Sequence, residues 1–176
     1  MKLGILSDTH AKVGRAKEIV LLFLEHKVDF IVHAGDIGEV ETLELLKNSG
    51  VRYIAVYGNN DAHLAIHHRN YNLVQEPHYF KIAGTKCKLM HLPYYMTPDT
   101  EVVFFGHTHE FSVELSAKGT LYLNPGEACA RNKPLSECAV LEIQEKAFHV
   151  PIFIRGQKSV TLAKKIFHTQ GYNQNE

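Results

Sequence analysis

The sequence predicts an α/β (α+β) fold in which two mixed β-sheets pack face to face with helices outside. Two patterns support this prediction. In the first third of the chain apolar runs alternate with amphipathic segments, and from about residue 79 onward short apolar runs follow one another across turns. Alternation of strands and helices is typical of parallel sheets, whereas consecutive strands form hairpins. The 176 residues, of which 45% are hydrophobic, suffice for one sizeable core.

The first part of the chain is predicted to be β-α-β-α-β. Its elements are a strand over 2–6, a helix over 13–24, a strand over 30–32, a helix over 40–46 and a strand over 51–56. The two helices are indicated by apolar residues at helical spacing, and Gly50 follows the second as a stop signal. This order predicts parallel strands joined by right-handed crossovers.

The remainder is predicted to be mostly β. A polar loop with one helical turn is expected over 62–75, and strands are expected over 79–82, 86–90, 101–105, 112–115, 120–123, 138–143 and 148–154. A short helix over 160–167 is expected to close the domain. We therefore predict a single domain over residues 1–168, followed by a frayed polar tail over 169–176.

The composition excludes several classes of protein. The formal net charge is zero, which argues against a broad surface for nucleic acid or anionic membranes. No apolar run approaches the length of a membrane span, and the N-terminus has no signal-peptide pattern. The three cysteines fit no C-x-x-C spacing and are interpreted as reduced thiols, so a cytoplasmic location is expected.

Side chains able to bind metal ions follow five of the predicted strands. They are Asp8, His10, Asp36, Asn59, His91, His107 and His109. Ligands of such sheets bind beyond the carboxyl ends of the strands, so these side chains are expected to converge. Carboxylates at the rim of a core cost several kcal/mol unless they are compensated, and bound cations would compensate them.

The composition of this donor set indicates the kind of metal site. Mixed oxygen and nitrogen donors suit Mn²⁺, Fe, Ni²⁺ or Zn²⁺ better than an all-oxygen Ca²⁺ or Mg²⁺ site. Seven donors exceed the needs of one four-coordinate ion, whereas two ions that share a carboxylate fit the count. A metal pair roughly 3.5–4 Å apart can hold a hydroxide and clamp a phosphate.

These motifs together resemble the calcineurin-like metallophosphoesterase superfamily. The resemblance rests on Asp8-Thr9-His10, Gly35-Asp36, Gly58-Asn59-Asn60-Asp61, His91 and Gly106-His107-Thr108-His109, in that order. Spacing and size are similar to those of its small single-domain branch, the YfcE-type phosphodiesterases. The resemblance extends from residue 1 to about 143 and includes an Asn-Pro-Gly loop at 124–126.

The resemblance implies a fold, a reaction and residue roles. The implied fold is a four-layer αββα sandwich, and the implied reaction is attack of a metal-bridging hydroxide on a phosphate ester, with Mn²⁺ as the expected ion and Mg²⁺ as a further alternative. Asp8, His10 and His109 would hold the first metal, whereas Asn59, His91 and His107 would hold the second. Asp36 would bridge the two, and Asp36, Asn59 and His107 are assigned to catalysis.

The sequence departs from the family's pattern at two places. Many larger members have a general-acid histidine where this chain has Asn60, so activated aryl diesters are expected to be better substrates than esters with basic leaving groups. The connection over 92–100 contains Pro93 and Pro98 and is too short for a helical crossover. We therefore expect no flanking helix there and a site that is open on that side, covered by residues 94–96 or by a partner subunit.

Several polar residues near the motifs have two interpretations. His33 is expected to be a packed strand residue rather than a ligand, and the histidines at 63, 67 and 68 are expected to be solvated. Arg131 and Lys133 either lie in a solvated loop or help to hold a phosphate. Asp61 either supports a ligand or caps a helix.

Two other functions remain open at this stage. One is a phosphomonoesterase or nucleotide phosphatase, and the other is a non-catalytic scaffold similar to the retromer subunit Vps29, which has the same fold with altered ligands. A small phosphate ester is the expected substrate. The sequence leaves the natural substrate and the oligomeric state open, a homo-oligomer included.

Overall fold

The computed structural model describes residues 1–144, 147–155 and 160–168, which form two mixed β-sheets with few helices. The first half contains β1 (Lys2–Leu6), α1 (Val13–Glu25), β2 (Phe30–His33), α2 (Val40–Asn48), β3 (Arg52–Val56), a 3₁₀ helix (Ala62–His67) and β4 (Leu73–Val74). The second half contains β5 (His78–Ile82), β6 (Thr85–Leu89), β7 (Val102–Phe104), β8 (Phe111–Leu115), β9 (Leu121–Pro125), β10 (Ser136–Gln144), β11 (Ala147–Arg155) and β12 (Val160–His168).

The strands of each sheet are partly parallel and partly antiparallel. In the described residues the larger sheet has the order β12-β11-β10-β1-β2-β3-β4, and the smaller has the order β5-β6-β7-β9-β8. Strands β1, β2 and β3 pair in parallel, as the β-α-β-α-β pattern predicts, and the short β4 pairs in parallel with β3. In the smaller sheet β7 pairs in parallel with both β6 and β9. The carboxyl ends of these parallel strands carry the loops discussed below.

The main core lies between the two sheets. Along β1, Leu3 and Ile5 point into this core, where they join Leu89 of β6 and Phe104 of β7. The opposite face of β1 belongs to a second cluster with α1 and α2. A Cβ atom on Gly4 would lie 2.6 Å from the Phe23 ring, so glycine lets α1 pack closely on the sheet. The prediction of two sheets packed face to face is confirmed.

The outer face of the smaller sheet is covered by a loop, whereas helices cover the larger sheet. No helix occurs between residues 92 and 100, as the two prolines predict. The connection between β6 and β7 instead packs as a loop, with Met96 against a small cluster that contains Met90, Val103 and Phe105. Strands β6 and β7 are nevertheless parallel neighbours.

Two predictions about elements are wrong. The segment over 160–168 is a strand, β12, which pairs antiparallel with β11, rather than the expected short helix. The segment over 62–75 contains the short strand β4 in addition to the 3₁₀ helix. The expected tail over 169–176 lies outside the described residues. None of the helices in the described part of the chain has the length and apolar character that a bilayer crossing requires.

Candidate metal centre

The seven predicted donor side chains meet at one edge of the sandwich. Each lies just beyond the carboxyl end of a parallel strand, and the strands come from both sheets: β1, β2 and β3 from the larger, β6 and β7 from the smaller. The side chains form two groups with Asp36 common to both. Asp8, Asp36, His91 and His109 are buried.

The first group consists of Asp8, His10, Asp36 and His109. The two imidazole Nε2 atoms of His10 and His109 are 3.1 Å apart. Asp8 Oδ1 lies 3.3 Å from His109 Nε2 and 3.7 Å from His10 Nε2, and Asp36 Oδ2 lies 3.6 Å from His10 Nε2. The nitrogen and oxygen atoms that could bind a metal ion thus lie close together in these four side chains.

The second group consists of Asp36, Asn59, His91 and His107. His91 Nε2 lies 3.4 Å from Asp36 Oδ2 and 3.1 Å from Asn59 Oδ1. His107 Nδ1 lies 3.1 Å from the same amide oxygen. Asn59 and His107 are exposed, so this group is the one that solvent and a ligand reach first.

Glu127 orients His109 from behind. His109 Nδ1 lies 2.5 Å from Glu127 Oε2, which fixes the proton on Nδ1 and leaves Nε2 as the free donor atom. The other oxygen of Glu127 accepts hydrogen bonds from the backbone N–H groups of Asn132 and Lys133. Burial acts to raise the pKa of Glu127, but the contacts with His109 and these N–H groups hold it below the usual value. Glu127 therefore stays ionised.

His91 is oriented in the same way by the backbone. Its Nδ1 donates to the carbonyl oxygen of Ala34 at 2.8 Å, which leaves Nε2 directed at Asp36 and Asn59. The backbone N–H groups of His91 and Leu92 both donate to Glu76 Oε2. These two hydrogen bonds fix the backbone at His91, at the start of the 92–100 connection.

Asp61 ties together the two loops that carry Asp36 and Asn59. Its carboxylate accepts hydrogen bonds from the backbone N–H groups of Ile37, Gly38 and Gly58, at 2.8–2.9 Å. It makes no side-chain cap hydrogen bond with the 3₁₀ helix that follows it. Of its two interpretations, support of the site is the one that the structure favours.

Two glycines are required because other atoms of the site lie against them. A Cβ atom on Gly58 would lie 2.2 Å from Asp36 Oδ1, and one on Gly106 would lie 2.1 Å from Ser7 Oγ and 3.0 Å from Asp8 Oδ2. Neither glycine has a positive φ. Their role is therefore to allow neighbouring atoms of the site to approach closely.

Burial and charge perturb the acids of the site. Burial raises the pKa of Asp8, and this effect outweighs the nearby histidines. Burial also acts to raise the pKa of Asp36, but the close contact with His91 and the hydrogen bonds from Asn60 hold it below its usual value. Burial lowers the pKa of His10 in spite of the neighbouring carboxylates. Asp8 is thus the member of the site that most lacks a compensating cation.

The donor set fits divalent cations. Asp8 Oδ1 is fully buried without a hydrogen-bond partner, although it lies close to two imidazole nitrogens. An unpaired buried carboxylate oxygen is costly, and a cation in the first group would compensate it. Donor atoms of Asp8, Asp36 and His91 also lie within 4.8 Å of one another. Such spacing allows one ion to contact several of them.

Asn60 is turned toward the site rather than away from it. Its side-chain Nδ2 donates to Asp36 Oδ2 at 2.7 Å, and its backbone N–H donates to Asp36 Oδ1 at 3.0 Å. An amide at this position supplies no proton to a leaving group. It instead stabilises the ionised form of the carboxylate that both groups share.

Three further histidines near the motifs, His33, His63 and His68, lie outside the two groups. His33 is fully buried; its Nδ1 accepts the Gly35 N–H, and its Nε2 lies 3.0 Å from Thr9 Oγ1, as expected for a packed strand residue. His63 contacts the carbonyl of Gly38, and His68 contacts a carbonyl of its own loop.

The two basic residues after the Asn-Pro-Gly loop differ in their surroundings. Lys133 Nζ pairs with Glu137 at 2.8 Å. Arg131 is exposed, and its charge is one of the smaller causes that lower the pKa of His10, after burial. Arg131 therefore lies within electrostatic reach of the first group.

Sequence reasoning missed Glu127 and Cys129 as members of the site. The thiol of Cys129 lies within 4.8 Å of the ring nitrogens of His10 and His109. Both residues follow β9, and backbone N–H groups of this turn donate to the carbonyl oxygens of Ser7 and Asp8. The only signal in the sequence is their position directly after Asn-Pro-Gly.

The fold and this donor set at its edge define the metallophosphoesterase class. The chain belongs to the calcineurin-like phosphoesterase superfamily, because the profile of that superfamily's domain matches residues 1–146. This confirms the resemblance stated from the motifs. Membership of this superfamily implies divalent metal ions.

Known proteins similar to this chain support the assignment. Phosphodiesterase MJ0936 of Methanocaldococcus jannaschii is 26% identical over 163 residues, which are 84% of this chain and 96% of that protein. The structure of YfcE, a phosphoesterase from E. coli, has a TM-score of 0.71 at 17% identity and covers 97% of this chain and 100% of its own. Vps29 of Entamoeba histolytica, solved with Zn²⁺, has a TM-score of 0.71 at 19% identity, with 96% and 100% covered. At these identities the two structures show the fold alone.

Proposed function

We propose that this protein is a phosphodiesterase that holds two divalent metal ions and hydrolyses a small phosphodiester. The observation that carries the proposal is the pair of donor groups that share Asp36, four side chains in each, at the edge where both sheets end. Bound in those groups, divalent ions would supply a hydroxide nucleophile and neutralise phosphate charge. Mn²⁺ is the ion that we propose from the oxygen and nitrogen donors.

The residues have distinct proposed roles. Asp36 bridges the two groups. The hydrogen bond that it accepts from the Asn60 amide helps to keep its carboxylate ionised. Asn59 and His107 face solvent, so the substrate phosphate approaches from their side. Glu127 and the Ala34 carbonyl fix the ring orientations of His109 and His91, respectively.

Arg131 is proposed to contact the substrate phosphate. It is exposed and within electrostatic reach of His10, and a guanidinium can bind two phosphate oxygens at once. Lys133 is not proposed for this role because it pairs with Glu137.

The leaving group sets the proposed substrate preference. Asn60 cannot protonate a departing alkoxide, and its amide is already bound to Asp36. A substrate whose leaving group is a stable anion needs no such proton. Aryl diesters are therefore expected to react faster than alkyl diesters of the same size.

The similarity to Vps29 makes a non-catalytic scaffold the second candidate. Metal content alone does not separate the two functions, because a Vps29 structure is described as a complex with Zn²⁺. Turnover does separate them. A phosphomonoesterase is separated from a phosphodiesterase by comparing bis-aryl with mono-aryl phosphates.

The substitution Asp36→Asn tests the proposal. It keeps the shape of the side chain but removes the charge that both groups share, so kcat for a bis-aryl phosphate in Mn²⁺ should fall at least 100-fold. Asp29→Asn is the matched control, because Asp29 is an exposed residue just before β2 whereas Asp36 follows the same strand. The control should retain full activity.

Two results would contradict the proposal. Turnover of Asp36→Asn equal to that of the parent protein would exclude Asp36 from the reaction. Absence of turnover in the parent protein for both diesters and monoesters, in the presence of Mn²⁺, would favour the scaffold.

A further inference from the structure

A thiol lies beside the first group of donors, and no role proposed above uses it. The Sγ atom of Cys129 and the ring nitrogens of His10 and His109 all lie within 4.8 Å of one another. Cys129 is 4% exposed. Its backbone N–H donates to the carbonyl of Asp8 at 3.0 Å, which holds the thiol next to that loop.

A second observation points to a ligand in the same space. Asp8 Oδ1 is fully buried and has no hydrogen-bond partner. It lies 3.3 Å from His109 Nε2 and 3.7 Å from His10 Nε2. The unpaired carboxylate oxygen and the thiol thus both lie close to the same two imidazole rings.

We propose that Cys129 is an additional ligand of the first metal position, and that it makes this position selective for a thiophilic ion such as Zn²⁺ over Mn²⁺ or Mg²⁺. The inference rests on the proposed metal pair. On binding, the Cys129 S–H bond breaks, the sulfur donates its electron pair to the ion, and the proton passes to solvent. Thiolate is a soft donor that Zn²⁺ accepts and Mg²⁺ avoids.

The spacing suits this ion. Donors around a zinc ion lie about 3.3–3.8 Å apart when the site is tetrahedral, since the bonds to nitrogen and sulfur are roughly 2.0–2.3 Å long, and zinc also accepts a fifth donor, which here would be the shared Asp36. The distances of 3.1–3.7 Å among Asp8, His10 and His109 already lie near that range, and the thiol lies within 4.8 Å of a ring nitrogen of each histidine. Mn²⁺ remains our proposal for the second group, which contains no sulfur.

The alternative is that Cys129 is a small buried side chain that only fills space. Its sulfur is 3.8 Å from Glu127 Oε2, a weak contact that fits either role. A measurement that reports directly on a metal–sulfur bond separates the two roles. Cys138, a buried cysteine that packs in the cluster between the larger sheet and the helices, provides the matched control.

The first experiment titrates the complete, metal-stripped chain with Co²⁺ under anaerobic conditions. The parent protein and Cys138→Ser should show a near-ultraviolet thiolate-to-cobalt charge-transfer band that saturates with one thiolate per chain. Cys129→Ser and Cys129→Ala should bind Co²⁺ without this band. Two replacements are used so that poor folding of one does not prevent the test, and circular dichroism checks both.

The second experiment measures Zn²⁺ and Mn²⁺ affinities of the same proteins by competition with a chelator. Cys129→Ser should lose at least tenfold in Zn²⁺ affinity at the first position while Mn²⁺ affinity changes less than threefold. No band in cobalt-loaded parent protein, or a band that persists in both Cys129 variants, would overturn the proposal. Neither readout needs turnover, so diester hydrolysis with no band refutes this inference alone, whereas a band without hydrolysis refutes only the proposed function.

Discussion

The donor residues of the site have unusual backbone conformations. Five of the seven have positive φ without being glycine, with values from 40° to 68°. They are Asp8, His10, Asp36, His107 and His109. A left-handed conformation costs a non-glycine residue of order 1–3 kcal/mol, so the surrounding packing must hold these side chains in place. The result is a site whose donors are oriented before any ion binds.

His33 is a fully buried histidine that contributes to the dependence of stability on pH. Burial lowers the pKa of His33 to about 3, from an ordinary value of 6.5. Between these two values the unfolded chain binds a proton that the folded chain does not, so stability falls as the pH falls through this window. The contribution of one such proton is up to about 1.4 kcal/mol per pH unit.

The pH prediction is tested by His33→Gln, which retains a hydrogen-bonding side chain next to Thr9. The free energy of unfolding, measured in urea between pH 6 and pH 4, should depend less steeply on pH in this variant than in the parent protein. His68→Gln, which changes an exposed loop residue, should leave the slope unchanged. If the free energy of unfolding depends equally steeply on pH in all three proteins, the lowered pKa of His33 is contradicted.

The sequence predicted which donor residues meet and offered Asp61 as a supporting residue, but it did not indicate the other residues that support the site. Asp8, Asp36 and Asn59 were predictable because strand order alone brings the carboxyl ends of neighbouring parallel strands together. Glu127 and Cys129 were not, because they reach the site through a turn after β9 that folds back onto the loop after β1. Such a contact depends on packing between the two sheets, which leaves no periodic pattern in the sequence.

At the scale of elements, the loop between β6 and β7 takes the place of a flanking helix. Lys88, on the outer face of β6, is fully buried beneath it. Its Nζ donates to the carbonyl oxygens of Tyr95 and Thr97 and pairs with Asp99. This lysine thus provides several of the polar contacts that hold the loop in place of a helix.

Lys88→Met should therefore loosen this loop more than the rest of the fold. The variant keeps the aliphatic stem but leaves the carbonyls of the loop without their donor, so unfolding should become easier by about 1–3 kcal/mol. Amide hydrogen exchange over residues 92–100 should accelerate before that of β6. Lys86→Met, two residues earlier on the same strand and exposed, should change neither quantity. Unchanged exchange in Lys88→Met would contradict this account.

Most elements were predicted close to their observed bounds, and the prediction failed where the local pattern was ambiguous. Helix α1 follows a clear helical spacing, and its predicted start at Val13 is the observed one. Strand β12 was predicted as a helix because Leu162 and Ile166 are four residues apart, a spacing that favours a helix when pairing is ignored. Pairing with β11 makes this segment a strand, and the sequence of the segment itself does not reveal that pairing.

At the scale of the whole molecule, the candidate site joins the two sheets. Asp8, Asp36 and Asn59 follow strands of the larger sheet, whereas His91 and His107 follow strands of the smaller one. An ion bound to donors from both sheets would connect them across the open edge of the sandwich. Metal binding is therefore expected to stabilise the whole fold rather than one loop.

Removing bound ions with a chelator and adding them back tests whether metal binding stabilises the whole fold. An ion whose free concentration is 1,000 times its dissociation constant adds about 4 kcal/mol per site to the free energy of unfolding. For a chain of this size, that corresponds to a rise in Tm on the order of 10 °C. Tm should rise by this amount when Mn²⁺ is added to chelator-treated protein, and Asp29→Asn should behave in the same way. Asp36→Asn should show less than half of the rise, because its substitution weakens both groups. An equal rise in the two variants would mean that the ions bind elsewhere on the molecule.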